Sequence, residues 1–523
     1  MKISIIQSNP KTNDFEGNVE HILNDIKEAG KDSPDLIILP IDALNGVNFD
    51  HSYNHNKGLY ERYKEFTDRV LSLNLKSEFV LASQCIKTSF SVREGKCIEA
   101  VAPDDYHIEG HMLSIKNGKK IFISSWDSNY SEFREIVPED ADLFVVLGNV
   151  GYRKGNMSEN IQELTCRAEE HKKILVFANI CGGNDSEIFY GNSMVISPDG
   201  TILAEAPAFE DVVLTVDTEK AVPYSPEPRE DIADMANALV LGIRDFFGKQ
   251  GFTKAVLGLS GGIDSAVVAA LTAKAIGGEN VLGVLMPSEY TSQDSIDQAL
   301  ELAKNLGMPH RIVPIKNIFN TLKQEIGLSD EKTENGKVSL ALQNLQSRSR
   351  GIIIMALSNS EGRIAVATGN KSEIAVGYCT LYGDTVGSIA PIADLLKTEV
   401  YELAEYINHH KEIIPKGTIT RPPSAELSPN QKDEDDLPPY NQLDKIVRMF
   451  VENEYSLKAI VSDGIPEDVA IKTIRRIENN EFKRRQLPMG LKIAAGISFF
   501  FKGKSDYVYT AEWQCPLVKK NLY

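Results

Sequence analysis

Short apolar, β-branched runs alternate with polar, helically spaced stretches through the first 220 residues of the chain. Residues 3–7 read as a strand, 18–29 as an amphipathic helix and 36–39 as the next strand, the rhythm expected of α/β structure. Further strands are expected at 79–82, 121–124, 143–147, 174–178, 193–196 and 212–216, with Pro198-Asp199-Gly200 as a turn. Pro223, Pro226 and Pro228 then deny the backbone both helix and central strand, so a domain boundary is placed there, separating residues 1–222 from 230–523. A second rhythm follows: helix 232–247, strand 255–259, helix 265–276, strand 281–285, helix 292–306 and strand 311–315. This spacing predicts a doubly wound parallel sheet, whose ligands bind at the carboxyl ends of its strands, here just after Leu259.

Length and charge narrow the possibilities. At 523 residues the chain calls for more than one domain, and 42% hydrophobic with 25% charged residues is the balance of an ordinary folded protein. A formal charge of −18 repels polyanions, which disfavours nucleic acid and anionic membrane surfaces as partners. The six cysteines (Cys85, Cys97, Cys166, Cys181, Cys379 and Cys515) form no CxxC pair, so a reducing compartment is expected. The opening apolar run is too short for a signal peptide, and the expected location is cytoplasmic.

The strongest local signal is Gly258-Leu259-Ser260-Gly261-Gly262-Ile263-Asp264-Ser265, between a strand and an Ala/Val-rich helix. Paired glycines allow a tight turn with inward-facing amides, Ser260 and Ser265 add hydroxyls, and the helix start offers unpaired N–H groups to a pyrophosphate. The Lys that a Walker loop places before its final Ser or Thr is missing. Asp264 stands in its place and suits a Mg²⁺ bridge to a leaving pyrophosphate. The run resembles the PP-loop of the ATP pyrophosphatases, which cleave ATP to AMP and pyrophosphate while activating an oxygen as an adenylate.

Downstream come Asn344 to Gly351, Thr368-Gly369-Asn370-Lys371-Ser372-Glu373, Gly377 to Asp384, Lys397-Thr398, Pro422 to Leu427 and Glu481 to Gln486. In this order and spacing they resemble NAD synthetase, specifically the synthetase half of the two-domain, glutamine-dependent bacterial type. The resemblance implies that the carboxylate of deamido-NAD attacks the α-phosphorus of ATP and that ammonia then displaces AMP. It implies ATP binding by Gly258, Leu259, Ser260, Gly261, Gly262, Ile263, Asp264, Ser265, Thr368, Lys397 and Ser424. Deamido-NAD falls to Asn344, Glu373 and Lys483, and Mg²⁺ to Asp264 and Glu373. Joining two anions requires neutralising charge, so Asp264, Lys371 and Lys397 are the expected catalytic groups. The charge run 432–436 reads as a solvated loop, and 467–486 as one amphipathic helix.

The first domain resembles a nitrilase-type amidohydrolase, an α-β-β-α sandwich, which in this family releases ammonia from glutamine through a Glu–Lys–Cys triad. Its letters differ here. Ile41 stands where the family has Glu, with Asp42 next and on the opposite face by strand alternation. Trp126 stands in the nucleophile position before Asp127 and Ser128, with Ser124 and Ser125 adjacent, and residues 102–106 contain no Lys. No glutaminase triad is therefore assigned, and ammonia is the expected donor. Cys181 as a displaced nucleophile and glutamine use through unrecognised residues remain alternatives, as does a metal pair at His51 and His55. From another class, the chain reads as a non-catalytic dinucleotide sensor. A homo-oligomer is implied by the resemblance, with the first domain supporting assembly or shielding the ammonia entrance.

Overall fold

The computed structural model describes residues 1–47, 59–73, 77–83, 88–93, 96–101, 111–114, 118–126, 137–226, 228–329 and 338–496. Asp127, Ser128, residues 102–106, His51, His55, Cys85 and Cys515 lie outside them. The chain divides after Glu230 into two compact units.

The first unit contains β1 (Lys2–Gln7), α1 (Phe15–Lys31), β2 (Leu36–Ile38), α2 (Leu59–Ser72), β3 (Glu78–Ser83), β4 (Thr88–Arg93), β5 (Lys96–Val101) and β6 (His111–Ser114). It continues with β7 (Lys120–Trp126), β8 (Leu143–Gly148), α3 (Asn156–His171), β9 (Ile174–Asn179), β10 (Cys181–Asn184), β11 (Glu187–Tyr190), β12 (Met194–Ile196), β13 (Ile202–Glu205) and β14 (Val212–Asp217). Two six-stranded sheets form, ordered β14-β1-β2-β3-β4-β5 and β13-β12-β9-β8-β7-β6. Their centres, β1-β2-β3 and β7-β8-β9, are parallel.

Period-two alternation explains the layering. Ile3, Ile5, Leu36 and Ile38 point from one sheet into a shared core with Ile121, Ile123, Val145 and Val176 of the other. The intervening Ile6 and Ile37 face outward onto Val19, Ile22, Ile26 and Phe66 of α1 and α2. The spacing of Val19, Ile22, Leu23 and Ile26 makes one apolar face of α1, and Asp14 caps it by accepting from Gly17 N. The result is an α-β-β-α sandwich. One expectation needs correction: Ile41 and Asp42 are not on a strand, because β2 ends at Ile38 and the chain turns there. Both are buried, and Asp42 takes a left-handed φ of 58°, so strand alternation does not assign their faces.

The second unit opens with α4 (Asp231–Lys249), β15 (Ala255–Gly258), α5 (Ile263–Ile276), β16 (Val281–Leu285), α6 (Gln293–Asn305), β17 (His310–Ile312), α7 (Lys316–Glu325), α8 (Leu340–Glu361) and β18 (Ile364–Ala365). Its four-stranded sheet is parallel, ordered β17-β16-β15-β18. Ile353 and Ile354 of α8 pack on Val256, Leu282 and Val284. The α5 helix buries Ile263 and every residue from Ser265 to Ala273, as its unbroken apolar sequence requires. Next come α9 (Lys371–Val376), β19 (Ile389–Ala390), α10 (Lys397–Ile407), α11 (Lys416–Thr420), α12 (Tyr440–Val447), α13 (Leu457–Ser462), α14 (Glu467–Asn479), α15 (Glu481–Arg484) and β20 (Met489–Gly490). Leu396, Leu443, Val447, Ile474 and Ile477 form a separate helical core. The single helix expected over 467–486 is broken at Asn480, whose side chain is bonded to the carbonyls of Val376 and Arg476. Among the described residues, no helix is long and apolar enough to cross a membrane.

Candidate active site

The carboxyl ends of β15, β16 and β18 open onto a cavity of about 1030 Å³. The phosphate-loop run turns there from β15 into α5. Gly261 has φ +78°, and a Cβ on it would lie 2.3 Å from the Ser295 carbonyl oxygen, so the turn requires glycine. Gly262 precedes α5 without a side-chain cap, leaving the helix's first N–H groups facing the cavity mouth. Ser260 Oγ instead takes the Gly262 N–H at 3.1 Å and meets Ser265 Oγ at 3.0 Å, which braces the loop from inside. Leu259 and Ile263 bury their side chains in the core, so their contribution to the cavity is mainly backbone.

An ion cluster forms beside the loop. Lys397, the first residue of α10 and 2% exposed, places Nζ 2.5 Å from Asp264 Oδ2 and 3.1 Å from Glu373 Oε1. Asn370 caps α9 through Glu373 N and also donates to Asp264 Oδ1 at 3.0 Å, tying α5 to α9. Ser372 Oγ accepts from Lys397 N at 2.8 Å and donates to Asp444, which also takes the Thr398 N–H. Burial opposes charge on Lys397, yet Asp264 and Glu373 hold its pKa above the ordinary lysine value. Burial pushes the Glu373 carboxyl up to about 8, against the pull of Lys397.

Three groups in or near this site were not singled out by the sequence. Asp433 is 4% exposed, takes hydrogen bonds from Tyr440 (2.9 Å) and Tyr378 (3.3 Å), and lines the cavity. The expected solvated loop at 432–436 holds for Lys432, Glu434, Asp435 and Asp436, which are exposed, and Asp433 is the exception, satisfied inward by tyrosine hydroxyls. Tyr440 also presents its ring 5.2 Å from Lys397 Nζ. Arg350 lines the cavity and donates from Nε to the Met286 carbonyl, with burial drawing its pKa down to about 10. The paired prolines around the charge run were the available signal for Asp433. Arg350 lies within the run Asn344 to Gly351, but the resemblance gives it no role there.

Of the expected residues, Thr368, Ser424, Asn344 and Lys483 also line this cavity. Asn344 Oδ1 accepts from Thr380 Oγ1 at 2.9 Å, and Ser424 Oγ donates to the Gln431 carbonyl at 2.6 Å. Lys483 Nζ donates to the carbonyls of Gly377 and Cys379, just past the end of α9. Lys371 is placed elsewhere, which corrects its expected catalytic role. It is fully buried, with Nζ 2.7 Å from Glu452 and 3.1 Å from Asp394, and does not line the cavity. Being first in α9, it turns away from the strand end and anchors the helix that carries Glu373.

In the first unit, Trp126 is buried at the end of β7, its ring 5.5 Å from Phe177 and beneath the Arg167 guanidinium. Cys181 is fully buried at the start of β10, its N–H bonded to the Ser8 carbonyl. Ser124 Oγ is buried without a hydrogen-bond partner. His21, Asp25 and Asp211 bring three potential metal-ligand atoms within 4.8 Å of one another, on an exposed flank that sequence spacing alone did not reveal.

Two outcomes are expected from this geometry. Gly261→Ala forces a strained φ and a backbone clash, so ADP affinity measured calorimetrically should fall by about tenfold or more, consistent with a cost of roughly 1–3 kcal/mol for such strain; unchanged affinity would contradict it. The second concerns pH. A carboxyl whose folded pKa exceeds its ordinary 4.5 adds stability that is complete below 4.5 and is lost as pH rises through about 8. In the ligand-free chain, Glu373→Gln keeps a neutral group throughout, so the stability difference between the two proteins should shift in favour of the variant across that window. Denaturant unfolding at a series of pH values checks this, and a constant difference would contradict it.

Comparison with known proteins agrees with this architecture. The NAD synthase family matches residues 235–487, and the carbon-nitrogen hydrolase family matches residues 126–222. The chain is 37% identical over 452 residues to a glutamine-dependent NAD(+) synthetase of Synechocystis sp., covering 83% of this chain and 78% of that protein. It is 34% identical to the Acinetobacter baylyi protein of the same name, covering 94% and 96% of the two chains. The solved glutamine-dependent NAD+ synthetase of Acinetobacter baumannii, in complex with ADP, matches 95% of this chain and 96% of that one, with a TM-score of 0.72 and 28% identity. With its two matched regions and these near full-length relatives, the chain belongs to the glutamine-dependent NAD(+) synthetase family.

Proposed function

We propose that the second unit makes NAD from deamido-NAD, ATP and ammonia. The observation that carries this reading is the convergence, in one cavity at the strand ends, of an uncapped phosphate loop and the Lys397–Asp264–Glu373 cluster. ATP lays its pyrophosphate against the α5 N-terminus and the Ser260 and Ser265 hydroxyls. A carboxylate oxygen of deamido-NAD forms a bond to the α-phosphorus as the bond to pyrophosphate breaks. Ammonia then attacks the carbonyl carbon, sheds a proton, and AMP leaves with the original carboxylate oxygen. Thr368 and Ser424 are assigned to ATP, and Asn344, Glu373 and Lys483 to deamido-NAD. The half-buried oxygen donors of Asp264 and Glu373 fit Mg²⁺, a hard cation that keeps a few carboxylate ligands and nucleotide phosphates; when bound it would neutralise charge on the leaving pyrophosphate. Lys397 contributes positive charge beside the phosphates, and the low dielectric of a buried site strengthens it.

For the first unit we infer that glutamine is not hydrolysed by a Glu–Lys–Cys triad. The support is Ile41 and Trp126, both buried and apolar, at the positions read as the triad's Glu and Cys. A thiolate mechanism needs an acid–base partner and a nucleophile, and neither residue supplies one. The relatives' names favour the contrary reading, glutamine as donor. Supplying deamido-NAD, ATP and Mg²⁺ with either ammonium or glutamine, and measuring NAD and AMP, separates the two. Turnover on ammonium with only a trace on glutamine is expected, and equal turnover on both would overturn the inference about the first unit.

A further inference from the structure

We propose that Lys397 holds the place of the divalent cation. In the ligand-free chain its ammonium occupies carboxylate oxygens that a bound divalent cation would use, so the two compete for them. This rests on the reading of Asp264 and Glu373 as cation ligands given above and adds a step that reading does not contain.

The geometry makes the competition direct. Asp264 Oδ1 is engaged by Asn370 at 3.0 Å, and Oδ2 by Lys397 at 2.5 Å. Glu373 Oε1 is shared between Lys397 at 3.1 Å and the Tyr440 hydroxyl at 3.4 Å. Mg²⁺ prefers carboxylate oxygen ligands, and Asp264 Oδ2 and Glu373 Oε1, which would hold it, are the oxygens that now hold Nζ. Two cations that close in a buried site repel strongly.

Lys397 is also built to move at its tip alone. Its backbone N–H is pinned to Ser372 Oγ at 2.8 Å, and Val400, one turn on, is fully buried, which leaves the flexible four-carbon stem as the mobile part. The Tyr440 ring, 5.2 Å from Nζ, offers a face on which the ammonium can rest outside the carboxylate pair. A placeholder has a physical reason to exist. The half-buried Asp264 and Glu373 gather beside the buried Asp433, and leaving them without any cation between turnovers would be costly. Removing the metal therefore need not collapse the site, and binding it frees a positive charge at the moment a nucleotide's phosphates need one.

The test is metal affinity without nucleotide, using Mn²⁺ as a paramagnetic stand-in for Mg²⁺ and free Mn²⁺ read by electron paramagnetic resonance on the full chain. Lys397→Met removes the competing ammonium and should bind Mn²⁺ more tightly than the wild type, by on the order of tenfold. Lys397→Arg retains a cation and should stay near the wild-type affinity. If Lys397→Met is too unstable to titrate, Lys397→Gln serves in its place, and the rise in Tm on adding Mn²⁺ should be larger for it than for the wild type. Equal or weaker Mn²⁺ binding by the neutral variants, in a protein whose wild type forms NAD with Mg²⁺, would overturn the exchange while leaving the proposed function standing. Failure of the wild type to form NAD would remove that function itself, whatever the Mn²⁺ affinities.

Discussion

The second unit is organised around one buried ammonium, that of Lys397, shared between the side chains of Asp264 and Glu373. Lys397 begins α10, Asp264 lies in the first turn of α5, and Glu373 lies in the first turn of α9, so a single ion cluster fixes three helix starts relative to one another. Such a cluster adds little net stability, because desolvating the charges offsets most of their attraction; losing one partner is nevertheless expensive, because it strands the others. The constraint is therefore one of geometry. Asn370, Ser372 and Asp444 extend it by satisfying the backbone around each charge, and Lys371 secures the inner end of α9 against Glu452 and Asp394. The phosphate loop inherits its position from this arrangement, since α5 carries both Asp264 and the N–H groups that face the cavity.

The first unit is organised by a different constraint. Its two sheets hold together through alternating apolar side chains that meet in one core, and that pattern needs no polar triad to be complete. Ile41 and Trp126 are buried in this unit as packing residues. A sandwich of this kind can keep its fold while the residues at its strand ends change, because stability resides in the sheet faces and chemistry resides at the tips.

Much of both units was legible in the sequence where the signal is local. The strands at 143–147, 174–178 and 281–285 and the phosphate loop are short patterns whose meaning does not depend on distant residues. What was missed depends on tertiary direction. Within the run 344–351, the resemblance assigns Asn344 to the site but not Arg350, and only the packing of α8 beside the cavity shows that Arg350 lines it. Asp433 sat within a charge run that resembles a solvated loop, and only the distant Tyr378 and Tyr440 make it an inward-facing group. Lys371 lies three residues beyond Thr368 in the same stretch after β18, yet the turn into α9 sends it away from the cavity. A residue's place in the chain locates its backbone, and only packing decides where four methylenes lead.

The central claim is that this cavity joins a carboxylate to the α-phosphorus of ATP before nitrogen arrives, and the most direct measurement follows oxygen. Deamido-NAD labelled with ¹⁸O in its nicotinate carboxylate would be converted with ATP, Mg²⁺ and ammonium, and the products examined by mass spectrometry. The account predicts one labelled oxygen in the phosphate of AMP and none in pyrophosphate. AMP free of label, or label in pyrophosphate, would contradict it.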